Sequence, residues 1–136
     1  MVVHMVDPVL SIPRFSGLAE FINLPPMAWD FLCQTRGLVA LAAEQDEELM
    51  GFAVAESIPQ VLHILTLKGD PNCCRLLLQR LVMLAGECDV SGWFPLDQAE
   101  VRKVLKRLGF VPYTFQSEHS CYYRLNRNQD VDSCLS

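Results

Sequence analysis

The sequence has no run of about 18 uninterrupted apolar residues, the length a membrane-spanning helix needs, so no such helix is expected. The opening Met1-Val2-Val3-His4-Met5-Val6-Asp7 has no basic segment ahead of a long apolar run, which argues against a signal peptide. Cys-x-x-Cys does not occur, and His4, His63 and His119 do not approach zinc-ligand spacing, so no metal is expected. Most of the 6 cysteines (33, 73, 74, 88, 121 and 134) lie inside apolar patterns, where a free thiol packs as a small core residue. This usage fits a reducing cytoplasm without disulfides. Positive charge is also in deficit, 11 basic against 16 acidic residues, a net charge of −5. The surface as a whole therefore disfavours nucleic acid and anionic membrane as partners. There are no internal repeats and no low-complexity segments.

What is present is a globular chain of 136 residues, 51% hydrophobic and 20% charged, enough for one core. We read a single domain over 1–126 and a polar tail over 127–136. The clearest signal is Val61-Leu62-His63-Ile64-Leu65-Thr66-Leu67, an apolar run rich in β-branched residues. The break Lys68-Gly69-Asp70-Pro71-Asn72 follows. Then Cys73-Cys74-Arg75-Leu76-Leu77-Leu78-Gln79-Arg80-Leu81 carries apolar residues at helical spacing. This is strand, turn and helix. A helix N-terminus offers unpaired N–H groups and a partial positive charge, which suits an anion. The plain alternative makes Asp70 the N-cap and Pro71 the first residue of an ordinary helix.

Upstream, 2–12 reads as an irregular strand interrupted by Pro8, and 16–23 and 26–35 as two short helices. Strands over 38–44 and 49–56, joined by a polar turn Gln45-Asp46-Glu47-Glu48, form a hairpin. Downstream, a strand at 89–94 precedes a helix from Gln98 to Leu108, capped by Asp97 with Glu100 at the third position. Gly109 stops that helix, and strands over 110–115 and 120–125 complete the chain. The order argues for an α+β domain with a mixed, mostly antiparallel sheet of six or seven strands flanked by helices.

This order, together with Leu108-Gly109-Phe110 at the end of the late helix, resembles the GNAT (Gcn5-related N-acetyltransferase) fold over residues 38–125. The resemblance implies acetyl-CoA as cosubstrate, lying where the fourth and fifth strands splay apart. By position, Leu65, Thr66 and Leu67 would hold the pantetheine arm. Lys68, Gly69, Asn72, Cys73, Cys74 and Arg75 would face the pyrophosphate. The implied activity is direct acetyl transfer to an amine of a small molecule or peptide. Base candidates are Glu56 and His63. A tyrosine usually protonates the leaving thiolate from the late helix, where this chain has Leu105, which leaves Tyr113, Tyr122 and Tyr123 as candidates. Tyr122 and Tyr123 fall on opposite faces of their strand, so only one of them can face the cleft. Trp29 and Trp93 read as core residues. The competing expectation is a GNAT-like domain without catalysis, serving as a ligand-binding or interaction module, for instance as a homodimer.

Overall fold

The computed structural model describes residues 1–6, 37–116 and 118–127. Their elements are β1 (Val2–Val6), β2 (Leu38–Gln45), β3 (Glu48–Ile58), β4 (Val61–Gly69), α1 (Pro71–Ala85), β5 (Asp89–Pro95), α2 (Ala99–Leu108), β6 (Val111–Gln116) and β7 (Ser120–Leu125). The helices expected at 16–23 and 26–35, the strand beyond Val6 and the tail from 128 lie outside the described residues.

One sheet takes all 7 strands in the order β1-β2-β3-β4-β5-β7-β6. Every neighbouring pair is antiparallel except β4–β5, which is parallel because α1 carries the chain back between them. The first hairpin is tighter than its polar sequence suggests. Gln45 pairs with Glu48, so only Asp46 and Glu47 turn the chain. Both have positive φ, 53° and 65°, as a primed two-residue turn requires.

Both described helices pack on one face of the sheet. The apolar stripe of α1 (Leu77, Leu78, Leu81) and that of α2 (Val101, Val104, Leu105) bury against Leu41, Ala53, Ala55, Leu62, Ile64, Val90 and Phe94. Leu105, at the position where a tyrosine was sought, is fully buried in this core. The capping box expected at α2 does not form. Leu96 and Asp97 are spent in a turn, and the Gln98 N–H bonds to the Pro95 carbonyl at 3.4 Å. Gln98 thereby takes the N-cap place without a side-chain cap, and Glu100 pairs with Lys103 at 3.2 Å. Gly109 closes the helix in the left-handed region, φ 98°.

The start of β5 is pinned from both sides. The Asp89 N–H donates to the Gln60 carbonyl at 3.0 Å, which ties β5 to the β3–β4 turn. The Asp89 carboxylate accepts from Arg124 Nε at 3.0 Å and Nη2 at 2.8 Å, and from the Arg127 N–H at 2.8 Å. Asp89→Ala leaves a guanidinium and an N–H without this acceptor. The expected loss is about 2 kcal/mol, below that of a fully buried pair because Arg124 stays partly open to water. Urea unfolding monitored by circular dichroism measures it, and a loss under about 0.5 kcal/mol, the range of ordinary surface substitutions, would remove Asp89 as an anchor.

Candidate functional site

Parallel strands pair continuously only while their directions agree. Here β4 and β5 pair at four positions, Val61↔Asp89, Leu62↔Val90, His63↔Ser91 and Ile64↔Gly92, and then stop. Yet β4 continues to Gly69 and β5 to Pro95. The strands therefore diverge into a wedge, with its apex at Ile64 and Gly92. A bulge in β4 coincides with this point. Val54 pairs with Thr66 and Ala55 with Ile64, so Leu65 has no partner on β3. Leu65 is 40% exposed at the wedge. Beyond the apex, the main-chain groups of β4 that face β5 have no strand partner among the described residues.

The face of the sheet away from the two helices carries a row of polar side chains at the apex. Cross-strand register aligns Glu56 on β3 with His63 on β4, His63 with Ser91 on β5, and Ser91 with Arg124 on β7. His63 Nδ1 lies 2.8 Å from Ser91 Oγ, and Ser91 is 1% exposed. Burial lowers the His63 pKa from its usual value, and the charge of Glu56 works in the opposite direction. The imidazole is thus neutral at pH 7.

Beside this row, along β5, stands an aromatic group. The Trp93 and Tyr122 rings lie 5.4 Å apart, and Tyr113 meets Tyr122 edge-on at 5.5 Å. Trp93 is 47% exposed, so the expectation that it is a core residue fails. The divergence of β4 from β5 removes the neighbour that would have covered it. Tyr122 shares the face of His63. Tyr123 lies on the helix face, 3% exposed and edge-on to Phe94. The structure thus brings Glu56, His63 and Tyr122 onto one face and separates Tyr123 from them.

The N-terminus of α1 is built differently from an open anion seat. Pro71, its first residue, has no N–H. The Cys73 N–H donates to Asp70 Oδ1 at 2.8 Å, and the Cys74 N–H to the Asp70 carbonyl at 2.9 Å. The Cys73 N–H foremost, then the Cys73 thiol and the Asn72 N–H, hold the Asp70 carboxyl below the usual carboxylate range. Arg75 Nη2 donates to Asn72 Oδ1 at 2.8 Å. Cys73 and Cys74 point into the core, and burial raises both thiol pKa values, that of Cys74 to about 11. Desolvation thus outweighs the lowering that a helix N-terminus gives a thiol.

No family model and no curated protein matches the sequence. Solved structures do match it in shape. The ribosomal-protein-S18-alanine N-acetyltransferase of Escherichia coli is 12% identical, with 91% of this chain and 92% of that chain covered at a TM-score of 0.71. The Campylobacter jejuni N-acetyltransferase PseH, solved with acetyl coenzyme A, is 13% identical, with 92% and 99% covered at 0.68. The aminoglycoside 6'-N-acetyltransferase of Enterococcus faecium is 13% identical, with 93% and 97% covered at 0.66. The fold is that of the GNAT N-acetyltransferases. For a GNAT fold the implied cosubstrate is acetyl-CoA, and the chain's residues divide on how well they fit it. The wedge, with its unpaired β4 edge from Leu65 onward, fits an extended thioester arm. The α1 N-terminus, already filled by its own carboxylate, does not fit a diphosphate.

Sequence reasoning missed Ser91. It is one small polar residue in an apolar run, and its meaning depends on the β4–β5 register. Counting inward from Val61 and Asp89 in parallel would have placed it opposite His63.

Proposed function

We propose that the chain is an N-acetyltransferase that takes an acyl thioester in the β4–β5 wedge and passes the acyl group to an amine of a small molecule or peptide. The single observation that carries this reading is the wedge itself, a parallel pair that stops at Ile64↔Gly92 while both strands continue. Bound there, acetyl-CoA supplies an activated acyl group. The β4 main chain from Leu65 to Leu67 holds the pantetheine arm through groups that β5 leaves unpaired. His63 stands one residue before the apex, on the face away from the helices. With Nδ1–H donating to Ser91 Oγ, its Nε2 keeps a lone pair and takes a proton from the amine. Tyr122, across the apex on the same face, is our candidate to return a proton to the leaving thiolate. Trp93 offers a flat apolar wall for the acceptor.

A second reading, binding without transfer, is favoured by Leu105, which fills the family's usual tyrosine position with buried core. Thermal denaturation with acetyl-CoA and with free CoA tests the shared premise. Ligand at 100 times its Kd is expected to stabilise by about 2.7 kcal/mol. No shift with either compound at millimolar concentration would sink both readings. A shift without thiol release in the presence of amines would leave only the second.

A further inference from the structure

In a thioester site of this kind, affinity can come from two ends, the extended arm and the nucleotide diphosphate. Diphosphates are held at a helix start by free N–H groups, and glycines let the phosphates approach closely. This chain has spent those devices on itself. Of the first residues of α1, Pro71 has no N–H, Cys73 donates to the Asp70 carboxylate at 2.8 Å, and Cys74 donates to the Asp70 carbonyl at 2.9 Å. Gly69 is the one glycine of the loop, and packing consumes it. A Cβ there would lie 2.9 Å from Cys73 Cβ and 3.1 Å from both Gly51 Cα and the Met50 carbonyl oxygen. The glycine is therefore spent on seating α1 against the β3–β4 hairpin. An incoming diphosphate would also have to displace Asp70 from its amides and bear its charge.

From this geometry we infer that the donor is recognised by its acylated pantetheine arm alone, so that acyl-pantetheine thioesters lacking the adenosine diphosphate serve as well as acetyl-CoA. The inference rests on the reading of the wedge as the thioester site and narrows its donor class. Arg75 does not restore the lost seat, because its guanidinium is engaged with the Asn72 side chain on the surface.

Isothermal titration calorimetry with acetyl-CoA, S-acetyl-4′-phosphopantetheine and S-acetylpantetheine is the test. Dissociation constants within about threefold of one another support the inference. A preference of about tenfold or more for acetyl-CoA, the worth of one charge-assisted hydrogen bond, overturns it while leaving the acetyltransferase reading intact. Binding of none of the three overturns that reading and the inference with it. Asp70→Gly supplies a second measurement, since glycine is tolerated at an N-cap and frees the Cys73 N–H. It is expected to tighten acetyl-CoA binding about tenfold and leave S-acetylpantetheine unchanged. Equal affinities for both compounds before and after the change would show that Asp70 does not close the seat.

Discussion

Among the described glycines, Gly69→Ala is expected to be the most destabilising alanine substitution, with a loss of roughly 4 kcal/mol. Two penalties coincide there. The backbone sits at φ +135°, a region open essentially to glycine alone, and the new methyl would fall within 2.9–3.1 Å of Cys73 Cβ, Gly51 Cα and the Met50 carbonyl. Two companions separate the penalties. Gly51→Ala adds crowding without a positive φ, its Cβ meeting the Lys68 carbonyl at 2.8 Å and Cys73 Cβ at 3.0 Å. Gly86→Ala adds the backbone cost alone, since nothing lies within 4 Å of its Cβ position at φ +61°. Each companion is expected to lose roughly 1–3 kcal/mol, and Gly69→Ala about their sum. Chemical denaturation of the three variants, read against wild type, measures this. A Gly69→Ala loss no larger than that of Gly86→Ala would mean that α1 does not press on the hairpin as described. The position matters for the proposed site because β4 beyond the apex is held by β3 and α1, not by β5. A helix pushed off Gly51 and Gly69 loosens the one wall of the wedge that the main chain supplies.

How much of this was legible in the sequence depends on whether the information is local. The strand–turn–helix over 61–85 was legible because hydrophobic periodicity, the N-cap Asp70 and Pro71 all act within a few residues. The alternation of Tyr122 and Tyr123 was legible for the same reason. The α2 start was misread, since Asp97 is a good cap in isolation but is committed to the turn that leaves β5. Trp93 was misread and Ser91 missed because their surroundings are set by the β4–β5 register. Where that pair holds together, Ser91 is buried against His63. Where it parts, two residues on, Trp93 loses its cover. The loop was the reverse case. Its residues announced an N-cap, and the structure shows the cap; the diphosphate seat came from position in the fold, and the chain's own carboxylate occupies it.

That register also makes the strongest kinetic prediction, which rests on the proposed transfer chemistry. His63→Gln is expected to lower kcat about 10²- to 10⁴-fold, the usual worth of a general base, while thioester binding changes little. Ser91→Ala is expected to cost about tenfold, one hydrogen bond's worth of ring orientation. The pH dependence separates a base from a merely structural histidine. Burial depresses the His63 pKa below its usual 6.5. Activity should therefore rise as pH climbs through a value under 6.5 and stay level above it. Stability follows the same sign, because the unfolded chain binds the proton more readily than the folded one. The histidine's contribution is complete above 6.5 and is lost as pH falls through the lowered folded value. The charge of Glu56 works against the depression, so Glu56→Gln should move the acidic limb of the rate profile to still lower pH. A limb that stays put in Glu56→Gln would remove Glu56 from the row. One that survives in His63→Gln would remove His63 as the base, and the proton would then have to leave the amine by another route across the same apex.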